Sequence, residues 1–223
     1  VHILGIFAFL NYLPYSKHFH IILAFPNTYY ANLEAKGRFE NNAAVTKEVA
    51  LMMDPSADPF AAPAPDADAP IERFGAKDAN DLSWANLLNA YTCTECGRCT
   101  SECPANLTGK KLSPRKIMMD TRDRIEEIGQ NIAANGSFLD DGKSLLGDYI
   151  TNEELWACTS CNACVQACPV DIDPLNIIMK LRNFATMEES SAPGALNAMM
   201  TNVENNGAPW PFNQMDRANW INE

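Results

Sequence analysis

Eight cysteines fall in two short stretches: Cys93, Cys96, Cys99 and Cys103, then Cys158, Cys161, Cys164 and Cys168. None is left over. Each stretch has three cysteines at intervals of three, a fourth four residues on, and then a proline. Thiolates so closely spaced can wrap three corners of one iron-sulfur cubane while backbone N–H groups between them point at its sulfides. The proline then turns the chain away. A disulfide framework would instead scatter its cysteines so that bridges close long loops. A zinc site usually pairs Cys-x2-Cys with a distant second pair of Cys or His. All three histidines lie in the first 25 residues, far along the chain from either motif. The pattern therefore predicts two 4Fe-4S clusters, electron transfer as the chemistry, and a reducing compartment around the thiolates.

In two-cluster ferredoxins the fourth cysteine of each run ligates the other cluster. Carried over, cluster 1 takes Cys93, Cys96, Cys99 and Cys168, and cluster 2 takes Cys158, Cys161, Cys164 and Cys103. Arg98, Lys110, Lys111 and Arg115 lie close to the first motif, where positive charge could tune a cluster potential or simply form a solvated face.

The elements that must position these cysteines are helical. Trp84, Leu87, Leu88 and Tyr91 fall at i, i+3, i+4 and i+7 ahead of the first motif, with Asp81 or Ser83 as N-cap. Ser113-Pro114 opens a charged amphipathic helix between the motifs, Thr151-x-x-Glu154 is a capping box before the second, and Asp173-Pro174 opens a helix after it. No period-2 strand pattern appears. The fold class expected is mainly α: an N-terminal transmembrane helix, an extended linker, then an α-helical ferredoxin domain with two 4Fe-4S clusters.

Residues 1–25 are almost wholly apolar, and at about 1.5 Å per residue they reach across a hydrocarbon core of about 30 Å. Without a basic n-region or cleavage site they do not resemble a signal peptide, and the chain reads as a piece of a longer membrane polypeptide whose other transmembrane helices precede Val1. Within this stretch His2 and His20 stand 18 residues apart, five full turns of a continuous helix, or about 27 Å on one face. Histidine in an apolar span tends to be functional, and imidazole is a common axial ligand of haem. The alternative is that His18 and His20, beside Lys17 and after Pro14, mark an interfacial helix end.

The domains expected are 1–38, the end of a haem b membrane domain; 39–80, an extended Ala/Pro/Asp-rich linker; 81–189, the dicluster ferredoxin domain; and 190–223, a loop-rich extension. A net charge of −11 excludes a counterion-displacing basic stripe, and so argues against a nucleic-acid partner.

The segment from His2 to His20, ending in PYSKHFH, resembles the last part of the membrane gamma subunit of respiratory nitrate reductases. That resemblance implies haem b, with His2 and His20 as axial ligands and His18 as a non-ligand. The stretch FGAKDANDLSWANLLNAYTCTECGRCTSECPANLTGKKLSPRKIMMDTRDR resembles iron-sulfur subunits related to the heterodisulfide reductase D subunit. Together they resemble membrane-bound oxidoreductases that link a soluble donor, such as electron transfer flavoprotein, to quinone. The resemblance implies an inner-membrane location, and the reducing conditions that the thiolates need put the iron-sulfur domain on the cytoplasmic side. Lys36 and Arg38 agree with that orientation. Such proteins usually continue into CCG domains, and no cysteine follows Cys168 here. A relay and interaction module without its own haem is the alternative, and no substrate-transforming site is visible in either case.

Overall fold

The computed structural model describes residues 1–54 and 73–221. Among them the chain is mainly α-helical and forms no strand beyond a single bridge between Leu146 and Ile150. The helices are α1 (His2–Tyr12), α2 (His20–Tyr29), α3 (Ala43–Met53), α4 (Trp84–Thr92), α5 (Arg98–Ser101), α6 (Pro104–Leu107), α7 (Pro114–Asn135), α8 (Asn152–Ala157), α9 (Ala163–Gln166), α10 (Pro174–Asn183) and α11 (Gly194–Asn206).

The caps read from the sequence form as expected around the motifs. Ser83 accepts from Asn86 N–H, Ser113 from Lys116 N–H and Asp173 from Asn176 N–H, each satisfying an amide that a helix start leaves without a partner. Thr151 and Glu154 form a reciprocal capping box. The long helix α7 packs against α4, α5 and α10, and α8 packs on α10. Ile117 and Met118 of α7 meet Leu175, Ile177, Ile178 and Leu181 of α10 in one buried cluster with Leu112, Leu145, Ile150 and Leu155.

Two charged side chains, Arg124 and Glu154, are buried among the described residues. Arg124 is 0% exposed. Its guanidinium donates to both oxygens of Asp78 at 2.7–3.1 Å, to both of Asp141 at 2.6 and 2.9 Å, and to the Lys143 carbonyl at 2.9 Å. Asp78 Oδ1 also accepts from the amides of Ala79 and Leu145. The fork thereby ties α7 to the irregular segments that precede α4 and follow α7. Ahead of residue 81, Ala76 is buried and its amide donates to the Lys180 carbonyl at 3.1 Å. At Gly75 a methyl group would stand 2.6 Å from that same carbonyl and would also meet the Phe184 backbone.

Three expectations are corrected. Residues 1–25 do not form one membrane-crossing helix: α1 ends at Tyr12, tight turns follow, and Ser16 is extended at φ −127° and ψ 163° before α2 begins. Pro14 lacks the N–H that would continue the ladder, and the Ser16 hydroxyl accepts from His18 N–H to start a new turn. His2 and His20 consequently belong to different helices and do not share one helix face. Among the described residues no helix is long and apolar enough to cross a membrane. The second correction concerns residues from 190 onward, where α11 replaces the expected loops. Pro193 and Gly207 stand at its two ends, Gly207 as a left-handed C-cap at φ 64°.

The expected linker is not uniformly extended either, because Asn42 caps α3 within it. Its Ala/Pro/Asp-rich part lies outside the described residues.

Replacing Arg124 by alanine leaves two half-buried carboxylates facing each other and is expected to cost about 3–5 kcal/mol in urea unfolding. The hydrogen bonds from Arg124 hold Asp141 down at about 2, below the ~3.9 of an unfolded aspartate. A depressed carboxylate stabilises fully above its unfolded value and loses that contribution as pH falls through its folded one. Asp141→Asn is therefore expected to flatten the acid limb of the stability profile between about pH 4 and pH 2. Gly75→Ala is expected to cost about 1–3 kcal/mol by overpacking backbone against backbone, read as a lowered unfolding midpoint at unchanged slope.

Candidate iron-sulfur site

The two cysteine motifs fold alike. In each, a helix delivers the first cysteine: α4 ends at Thr92 before Cys93, and α8 ends at Ala157 before Cys158. The next turn needs two left-handed residues. Glu95 and Gly97 take φ 58° and 83° in the first loop, and Ser160 and Asn162 take φ 56° and 62° at the matching places in the second. This twist accompanies the placing of the first three cysteines of each motif along one cavity. It also lets the Glu95 and Ser160 amides donate to the sulfurs of Cys93 and Cys158, the latter at 3.4 Å. A short helix then carries the third cysteine, α5 for Cys99 and α9 for Cys164, and these two helices pack on each other.

That packing interleaves the motifs. Cys93, Cys96, Cys99 and Cys168 line one cavity, closed by Met118, Val170, Ile172 and Pro174. Cys103, Cys158, Cys161 and Cys164 line a second, closed by Leu112, Pro114, Leu175 and Ile178. Each cavity thus receives three cysteines from one motif and the fourth from the other. All eight are free thiols, with Cys93, Cys103 and Cys164 buried and Cys96 and Cys161 exposed. Neither lining contains Asp, Glu or His. Four soft sulfur donors spread around a cavity, with no hard oxygen donor competing, suit a 4Fe-4S cubane.

Burial raises the Cys93, Cys99 and Cys158 thiols above their usual range and pushes Cys164 up to about 12. Without iron these cysteines are protonated at neutral pH, so metal binding must expel their protons.

Each loop is also gripped by an arginine that the sequence pattern alone does not single out. Arg122 of α7 donates to Glu95 at 2.7 Å. Arg182 of α10 donates to the Leu155 carbonyl at 2.8 Å, to the Cys158 carbonyl at 2.6 Å and to Ser160 Oγ at 3.3 Å, and it lies 5.0 Å from the centre of the Trp156 ring. Both stand eight residues after the proline that opens their helix; that shared register was the available signal. Of the basic residues singled out in the sequence, Arg98 and Arg115 line the first cavity, both exposed, whereas Lys111 pairs with Glu153 at 2.6 Å.

The N-terminal segment docks beside the first cavity. Helix α2 packs on α4, Tyr30 meets Trp84 edge to face at 5.1 Å, and Asn27 donates to the Val170 carbonyl at 2.7 Å. Glu95 is held ionised chiefly by Arg122 and also by Lys17 from the bend between α1 and α2. At that bend the His18 and His20 rings lie 6.5 Å apart, and His20 Nδ1 is 2.5 Å from the Lys17 carbonyl. His2 lies at the far end of α1, exposed.

Residues 92–172 match the family described as the 4Fe-4S dicluster domain. This chain carries two 4Fe-4S clusters. Around its dicluster domain the whole chain is similar to the probable iron-sulfur-binding oxidoreductase FadF of Bacillus subtilis, 32% identical across 100% of the chain and 33% of that protein. It is 28% identical to the EtfAB:quinone oxidoreductase of Syntrophomonas wolfei across 97% of the chain and 30% of that protein. A probable membrane-anchored ferredoxin of Chromohalobacter salexigens is 32% identical across 70% of the chain and 25% of its own length. Over about half of the chain there is also similarity to the C-type iron-sulfur subunit of heterodisulfide reductases, where the resemblance drawn from the sequence is to the D subunit. The chain spans about a third or less of the length of the first three of these relatives.

The left-handed residues of the dicluster loops give a direct test. Asn162→Gly is expected to keep full iron content and change stability by less than about 1 kcal/mol, since both residues accept positive φ. Asn162→Val, β-branched in the same conformation, is expected to lose iron from the second cavity. Iron and acid-labile sulfide quantitation after purification reads both.

Proposed function

We propose that this chain is the electron-transfer part of a membrane-linked oxidoreductase, passing electrons between a soluble redox protein, such as electron transfer flavoprotein, and membrane quinone. The observation that carries this reading is the pair of neighbouring four-cysteine cavities beside the docked N-terminal segment. When bound, the two clusters supply one-electron carriers; the chain's own residues hold them, exclude water from them and bias their charge. Cys93, Cys96, Cys99 and Cys168 are the ligands proposed for cluster 1, and Cys158, Cys161, Cys164 and Cys103 those for cluster 2. Two similarities support the quinone side, one to an EtfAB:quinone oxidoreductase and one to a membrane-anchored ferredoxin.

Cluster 1 is the one nearer the membrane in this reading, because α2 and the bend at Lys17 lie against its loop. Exposed Ile3, Leu4, Ile6, Phe7, Phe9 and Leu10 on α1 suit a lipid or transmembrane-helix environment, with the ferredoxin domain on the cytoplasmic side. Haem b ligation belongs to the same proposal. A ligating histidine commonly gives its second nitrogen to a backbone carbonyl, and the Lys17 carbonyl fills that role for His20, leaving Nε2 for iron. His2 is proposed as the ligand of a second haem, with partner ligands on preceding helices.

Iron quantitation and EPR on the reduced full-length complex test the clusters. Two interacting 4Fe-4S signals are expected, and Cys168→Ser should disturb the signal that Cys96→Ser disturbs, although the two residues belong to different motifs. If Cys168→Ser instead disturbs the signal that Cys161→Ser disturbs, the crossed assignment is overturned. Reduced haem b bands that weaken in His20→Ala support the haem ligand, and iron-sulfur absorption without haem leaves the relay module without haem as the function.

A further inference from the structure

The two cluster loops are near copies, so the places where they differ in charge are informative. Arg122 and Arg182 occupy equivalent positions, and each reaches the left-handed residue between the first two cysteines of its loop. In the first loop that residue is Glu95, so Arg122 meets a carboxylate at 2.7 Å, and the Asp123 carboxylate lies 3.8 Å from the same guanidinium. In the second loop it is Ser160. Arg182 there meets two carbonyls, a hydroxyl and the face of Trp156, all neutral, and no carboxylate pairs with it among the described residues. The Arg182 charge acting on Cys158 is thus uncompensated, whereas the Arg122 charge acting on Cys93 is cancelled within its own loop.

Arg98 and Arg115 also line the first cavity, and both are exposed. A charge facing water, at a dielectric near 80, acts about a quarter as strongly as one at the effective value of about 20 that suits a protein site. Each cluster also feels other charges, Lys17 and Arg115 beside the first loop and Asp173 on Cys164 of the second, so what sets Arg182 apart is local: it acts on Cys158 with no carboxylate opposing it.

We infer that Arg182 is a positioning residue for the second cluster: its unpaired charge, held against the Cys158 loop, raises the potential of the cluster on Cys158, Cys161, Cys164 and Cys103. This rests on the cluster assignment proposed above. Net charge near a cluster and hydrogen bonding around its sulfurs set its potential, and here the chain supplies both differently to two otherwise similar loops.

An EPR-monitored redox titration of the full-length complex tests this with three variants. Arg182→Gln is expected to lower the potential of the signal that Cys161→Ser disturbs and leave the other in place, and Arg182→Lys, which keeps the charge, is expected to restore most of the shift. Glu95→Gln, which unmasks Arg122, is expected to raise the potential of the signal that Cys96→Ser disturbs. The inference is overturned if iron content is full and both potentials stay put, if Arg182→Gln moves the signal that Cys96→Ser disturbs, or if Lys and Gln shift the potential alike, which would mark a purely structural role. Loss of iron in the wild-type protein would instead count against the cluster assignment itself.

Discussion

The exchange of one cysteine between the two motifs is the constraint on which the rest of the fold depends. Because Cys168 faces the cavity of the first motif and Cys103 that of the second, neither loop can form its cavity alone. The short helices α5 and α9 must pack together, and the helices that follow them, α7 and α10, must pack on each other to close both cavities with apolar side chains. The core is accordingly built from the residues that also wall the cavities: Leu112, Met118, Leu175 and Ile178 belong to both.

Polar groups in this core are placed where the chain must change direction without a sheet to guide it. Arg124 joins Asp78, Asp141 and the Lys143 carbonyl, so the segments before α4 and after α7 are fixed to one point. Lys116 bridges Asp120, Glu154 and the Tyr149 carbonyl, which holds the start of α8 against α7. Buried charges of this kind are costly to desolvate and destabilising to break, so their contribution is one of register more than of net stability.

A local break sets the path of the N-terminal segment. Pro14 and Ser16 divide an apolar stretch that hydropathy alone reads as one span. The division brings Lys17 toward Glu95 and lets α2 lie on α4, so the apolar segment is tied to the first cluster loop.

The sequence by itself determined the cluster chemistry, the helical class and the caps, because these depend on residue type and short-range spacing: three thiolates within seven residues, or a serine three residues before an amide that needs a partner. It was also enough to suggest how the cysteines divide, since the motif type carries that pattern with it. Only the tertiary structure decided which charges face each loop. Arg122 and Arg182 lie more than twenty residues from the cysteines they act on, and whether each guanidinium meets a carboxylate depends on how α7 and α10 pack. The helix break at Ser16 and the helix between Pro193 and Gly207 were likewise hidden, because proline and glycine mark both loops and the ends of helices, and only the backbone path distinguishes the two.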